Sequence, residues 1–334
     1  MRATATARLR PGGAGWPAAR LGGPAAGIWL AALGVTLLGW IVVTARGGEF
    51  LTQPHVTGVL QNCVALGLIA LGQTVVILTG SLDLSVAYLV SLGTLVAAET
   101  MASGTVLTGV FAVLLLSAAV GLANGLIVTR LKVHAFIATL GTALILRGWI
   151  EDNYTGPAGE VPAAFRRLGY DRIGPVPVSV FLLAAVALAL WFVCRRTRLG
   201  HHMYAVGGDE HAARLSGVRT GRTVVLAHVL CSLCVGAAAL FLAARFGSGS
   251  PWAGTEARYD LESIAAVVLG GTVLAGGRGG VAGTLGGVLV LAVLDSVFDQ
   301  LSVDPFVKNV LRGVIIIAAV ALYARRRRTA RRSR

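Results

Sequence analysis

The chain has 334 residues, of which 55% are hydrophobic and 13% charged, and its mean hydropathy is +0.76. Soluble domains carry about 25% charged residues, so the composition excludes an ordinary water-soluble globular protein and points to one solvated by lipid. The 29 Lys and Arg outnumber the 15 Asp and Glu, for a net charge of +14; membrane topology and attraction to anionic headgroups account for this, and no nucleic-acid-binding module is visible.

Apolar runs long enough for a helix to cross about 30 Å of hydrocarbon fall near 27–44, 57–79, 85–101, 106–128, 134–150, 177–194, 222–244, 261–275, 281–299 and 307–323. The expected fold is therefore an all-α integral membrane protein of about ten transmembrane helices. Glycines around Gly80 and from Gly270 to Gly280 mark helices expected to be broken or re-entrant, which are tolerated at membrane depth where protein or a water-filled cavity surrounds them. The stretches after residues 57 and 222 begin on opposite faces and are candidates for inverted repeats.

Ten spans place both termini on one face, and basic loops identify that face as cytoplasmic. The segments so placed hold 20 of the 29 basic residues, including six Arg between Arg195 and Arg222 and seven between Arg325 and Arg334. The chain thus divides into a basic N-terminal tail (1–24), a polytopic domain (25–324) whose longest inside loop is 195–221, and an Arg-rich tail (325–334). The alternative, a cleaved secretory leader ending near Ala45, would remove the first span and spoil the parity.

Cys63, Cys194, Cys231 and Cys234 do not form a disulfide framework, because three lie in spans. Cys231 and Cys234 share a helix face, as expected of an apolar packed pair. His201, His202 and His211 have no acidic or Cys partner at ligand spacing, so no metal site is expected. The phosphate loop GxxxxGK[ST] of an ATPase is excluded, since the only lysines, Lys132 and Lys308, follow Leu131 and Val307. Gly276, Gly277, Gly279 and Gly280 join two apolar spans and read as a tight turn or as close helix packing rather than a nucleotide loop.

Ionisable and amide groups within spans are costly and are functional candidates by default: Gln61, Asn62, Gln73, Asp83, Ser85, Asn124, Thr139, Arg147, Asp295 and Arg312. Asp83 follows the Gly80 break and either caps the next helix or lines a solute path with Gln73, Gly80, Ser85, Asn124 and Thr139. A proton-coupled carrier would want paired carboxylates, for which Asp83 and Asp295 are the obvious acids. An intramembrane enzyme would want a partnered histidine, and neither His134 nor His228 has a partner in sequence. In the long loop, Gly207, Gly208, Asp209, Glu210, Ala212, Ala213, Ser216 and Gly217 spell a short helix with Asp209 as N-cap and Gly217 as stop. The small Ala212 and Ala213 with Leu215 suit docking into another protein's groove.

The ordered blocks Leu78-Thr79-Gly80-Ser81-Leu82-Asp83-Leu84-Ser85-Val86, Phe136-Ile137-Ala138-Thr139-Leu140-Gly141 with Arg147-Gly148, the loop 207–217, and Tyr259 through Gly270-Gly271 to Gly276-Gly277-Arg278-Gly279 and Gly283-Thr284 resemble the permease subunits of ribose-, xylose- and galactose-type ABC importers. The resemblance runs from about Phe50 to Tyr323, with departures at Ser81 and Ala87, where the family usually has glycine, and at Val273, where it often has serine. It implies a non-catalytic multi-pass subunit of the bacterial cell membrane that passes a monosaccharide or similar small polar solute. The implied partners are a separate ATPase that binds ATP and Mg, an extracytoplasmic sugar-binding protein and a second permease copy, with no cofactor on this chain. Segment 207–217 becomes the coupling helix seated in the ATPase, and 80–85 a broken helix beside the path. The competing expectation is a secondary transporter or channel.

Overall fold

The computed structural model describes residues 24–304, 306–311, 313 and 314. The N-terminal tail, Arg312, most of the span expected at 307–323 and the Arg-rich tail lie outside the described residues, although 306–311 are helical.

Five helices come first: α1 (Pro24–Ala45), α2 (Gln53–Leu78), α3 (Val86–Ser103), α4 (Val106–Arg130) and α5 (Ala135–Asn153). A short helix α6 (Ala163–Tyr170) and a hairpin of β1 (Arg172–Ile173) and β2 (Val176–Pro177) lead into α7 (Val178–Arg196). Two short helices, α8 (Arg198–Gly208) and α9 (Glu210–Leu215), precede α10 (Thr220–Phe246), α11 (Tyr259–Leu269) and α12 (Val281–Gln300).

Among the described residues α1, α2, α3, α4, α7, α10 and α12 are long and apolar enough to cross a membrane. Helix α5 has the length, with 19 residues, but carries Arg147, Glu151 and Asp152 near its end. The full span expected at 261–275 needs correcting: α11 has 11 residues, about 16 Å at 1.5 Å per residue, too little to cross. Its helix ends at Gly270, where any side chain would strike the Gly283 backbone of α12. The chain then turns through Gly271, Gly276 and Gly277, all at positive φ, which glycine adopts at no steric cost.

Burial separates a central layer from a peripheral one. Of the most apolar window of α2, 83% is buried, against 22% for α1 and for α7. A helix apolar on all sides belongs in the middle, and α2 is flanked by α10, α12, α11 and α7. The peripheral helices turn Leu30, Leu38, Leu107, Phe111, Ile145 and Leu188 outward, each more than half exposed, as lipid-facing side chains require. Helix α1 packs along α12 through Ile28, Ala32 and Val290.

Helices α2 and α10 run antiparallel: Asn62 meets Arg245, whereas Gly72 lies against Cys231 and Cys234. The two cysteines are buried and unbridged, and their role is to let α2 approach closely. Gly121 and Gly125 of α4 do the same for α10, each facing its backbone at His228 and Val225; small residues drive such packing where lipid offers no hydrophobic incentive. The antiparallel central pair is the relation an inverted repeat would impose.

Candidate functional site

One end of the bundle gathers the C-terminus of α2, helices α8 and α9, and the turn between α11 and α12. Its centre is a contact of three main chains. The Gly277 N–H donates to the Leu78 carbonyl at 3.0 Å. A Cβ on Gly276 would lie 2.8 Å from the Gly80 nitrogen, and one on Gly277 would lie 2.8 Å from the Gly208 Cα. A Cβ on Gly207 would overlap the Leu78 carbonyl oxygen itself. Tyr204 of α8 donates its hydroxyl to the Gly279 carbonyl at 3.0 Å, and burial pushes that phenol up to about 12, so it stays a donor at neutral pH. The break in α2, the α11–α12 turn and the long loop therefore form one backbone junction. Gly80 sits at this junction, three residues before Asp83.

Asp209 caps α9, accepting the Ala212 N–H at 2.9 Å, worth about 1 kcal/mol in typical caps. Gly217, at φ +83°, stops the helix, and the Val218 N–H returns to the Ala213 carbonyl at 3.1 Å. The expected docking role of Ala213 is corrected: it is 4% exposed and packs on Val206 and Val224 of the same chain. Its small size serves the seat of α9 on α8 and α10. Gly208, Asp209, Glu210, Ala212, Ser216 and Gly217 face outward with Leu215, which is 78% exposed. Arg214 and Glu210 pair across one turn at 2.7 Å on the exposed face.

Asp83 lies in the link between α2 and α3, where it collects donors from several helices. Its carboxylate accepts the Ser85 N–H at 2.9 Å and the Ser85 hydroxyl at 2.5 Å. This is an aspartate turn of the kind that reorients a chain over two residues, while Ser85 itself occupies the N-cap of α3. Asn124 of α4 donates to Ser85 Oγ at 3.0 Å and lies 3.4 Å from both carboxylate oxygens. Gln73 of α2 clasps the Asp83 main chain, donating to its carbonyl at 2.9 Å and accepting its N–H at 3.3 Å. Thr139 of α5 accepts the Leu84 N–H at 3.1 Å, and Thr142 donates to Asn124 Oδ1 at 2.6 Å. His228 Nδ1 of α10 completes the set, 3.6 Å from Asp83 Oδ2.

Gln73, Asp83, Ser85, Asn124, Thr139 and His228 all have 0% exposure. A lone buried carboxylate would be strongly unfavourable, and it persists only when donors surround it. In this conformation the cluster is closed, so it fastens α2, α4, α5 and α10 to the start of α3 and presents no open wall. His228 is the member whose partner the sequence did not reveal; it sits in an apolar span 145 positions from Asp83, and no spacing rule joins them. Asp295 is not with Asp83: it lines a cavity at the opposite end with Gln61 and Asn62. Arg147 forms an exposed pair with Glu151 at 2.7 Å, a surface feature worth a few tenths of a kcal/mol in typical helices.

Residues 55–320 match the family described as the permease component of branched-chain amino acid transport systems. The chain belongs to this permease family. It is 38% identical over 286 residues to the ribose import permease of Escherichia coli (strain K12), covering 84% of this chain and 88% of the relative. It is 37% identical over 290 residues to the ribose import permease of Bacillus subtilis (strain 168), with the same coverage. The L-arabinose transport system permease of E. coli (strain K12) is 35% identical over 269 residues, 80% of this chain and 81% of the relative. No solved structure matches. The permease is thus a multi-pass membrane protein of the bacterial inner membrane, and its relatives are transport subunits.

Proposed function

We propose that this permease forms the membrane passage of an ATP-driven importer for a small neutral sugar. The observation that carries the reading is its similarity, across more than four fifths of its length, to permeases named for ribose and L-arabinose. On this reading the end bearing α8 and α9 is cytoplasmic together with both termini, and the opposite end receives the solute from a sugar-binding protein. A separate ATPase holds ATP and Mg and docks on the outward face of α9 around Leu215. A second permease copy completes the passage, and lipid covers the peripheral helices. The chain itself binds no cofactor.

The mechanism follows from the connections. The ATPase pushes on α9, which is seated through Ala213 on α8 and α10. Helix α8 carries the displacement to Gly207, whose backbone touches the break after α2 and the turn before α12. Asp83 lies three residues beyond Gly80, so motion at the junction reaches the cluster that fastens the central helices.

The test is uptake of ribose, arabinose and galactose by cells that make the permease with an ATPase subunit and a binding protein. Uptake should vanish when the ATPase phosphate-loop lysine is replaced, and the purified permease alone should hydrolyse no ATP. Uptake that continues without the ATPase and follows a proton gradient would establish a secondary transporter instead. Tags at Ala5 and Ser333 should both be reachable only from the cytoplasm.

A further inference from the structure

At the end of the bundle opposite α9, helices α2, α10, α11 and α12 with residues Lys308 and Asn309 enclose a cavity of about 400 Å³. This lies within the range of small-molecule sites, about 300–1,000 Å³. Three cationic side chains line it, Arg245, Arg258 and Lys308, and three carboxylates, Glu256, Glu262 and Asp295. Amides and a tyrosine hydroxyl add neutral donors and acceptors, while Leu66, Leu242 and Ala292 supply an apolar portion.

The three cations and three carboxylates of the lining match in number, and Lys308 is also paired to Asp299, so the cavity has no excess of positive charge to draw in an anion. What it offers is dense pairing capacity of both kinds, which matches hydroxyl groups, since each hydroxyl donates once and accepts twice. The apolar portion suits the C–H face of a sugar ring. Several polar groups are already held in place: Arg245 Nη1 donates to Asn62 Oδ1 at 3.4 Å, its carbonyl accepts the Tyr170 hydroxyl at 2.6 Å, and Lys308 is anchored to Asp299 at 2.6 Å. Sites whose polar groups are fixed in advance lose less on binding. The cavity is also separate from the Asp83 cluster, because Gln61 and Gln73 lie twelve residues apart on α2, about 18 Å along a helix.

We propose that this cavity is where the permease itself holds a neutral polyhydroxylated solute, within a single copy of the chain. The proposal rests on the sugar-import reading for its solute class and goes further in assigning the site. A zwitterionic amino acid is the competing occupant, and the experiment separates the two.

Cells making the complete importer carry Asn62→Cys, exposed at the cavity, or Thr105→Cys, exposed in the α3–α4 link at the same end. The four native cysteines are buried and serve as the background. Labelling by a membrane-impermeant maleimide is timed with ribose, arabinose, galactose, leucine or gluconate present at millimolar concentration. The expected result is a several-fold slowing at Asn62→Cys by at least one of the three neutral sugars, with Thr105→Cys unchanged and no protection by leucine or gluconate. Protection by leucine, equal slowing at both positions, or no protection by any of the sugars overturns the site. ATPase-dependent uptake is read in the same cells. Uptake without protection removes the site and keeps the importer; protection without ATPase-dependent uptake keeps the site and removes the importer.

Discussion

The Asp83 cluster and the outer cavity both gather charged and amide side chains among the same central helices, yet they are built in opposite ways. Around Asp83 the side chains are wholly buried and, apart from His228, whose Nδ1 approaches Asp83 without a hydrogen bond, are hydrogen-bonded to one another, so the group presents no open wall to a ligand. Around Asp295 the polar side chains line an open cavity. Residue type alone does not distinguish the two; what differs is whether the side chains close on one another or line a space.

The strongest way to break this contrast is to remove the charge at its centre. Asp83→Ala leaves His228, Asn124 and the Ser85 N–H facing an empty, dry site, and breaking buried pairs of this kind costs about 3–5 kcal/mol. The expected outcome is a large fall in thermal midpoint and membrane accumulation, measured on detergent-purified protein. Asp295→Asn, by contrast, should cost about 1 kcal/mol, the typical size for a single substitution, and act mainly on uptake. Comparable midpoints for the two variants would dissolve the distinction.

A smaller effect is expected at Gly207→Ala, where the new methyl must push against the Leu78 carbonyl; overpacking costs roughly 1–3 kcal/mol. The ATPase should still co-purify, because α9 is untouched, while uptake per ATP hydrolysed should fall. Ala213→Trp belongs to the same size class but should loosen α9 from within, so ATPase association should fall as well. The mildest changes are at the outward face. Leu215→Ala should leave stability unaltered and weaken ATPase co-purification, and Asp209→Ala should cost about 1 kcal/mol through loss of the cap. Full association and uptake in both would make α9 only a connector.

Much of this architecture was readable in the residues. Apolar run length located the seven described helices that are long and apolar enough to cross a membrane, the glycines near 80 and 270–280 marked real breaks, and Asp209 with Gly217 bracketed α9. These are local signals, each set by a few neighbouring residues. What escaped was long-range. Ala213 looked like an outward contact because a small side chain suits either face of a helix. Residues 261–275 read as a span because hydropathy does not register that Gly270 meets Gly283. His228 had no visible partner because Asp83 reaches it only after α2, α4 and α10 have packed.

The contact among Gly80, Gly207, Gly208, Gly276 and Gly277 has one further consequence. Most interfaces between moving parts of a protein include side chains that can change rotamer and absorb a small displacement. Here main chain rests on main chain, and a peptide unit cannot give way by rotating about a side-chain bond. On the proposed mechanism, a shift of a few tenths of an ångström in α8 is delivered to the break after α2 and to the start of α12 almost without backlash, as between meshed gears cut with no clearance.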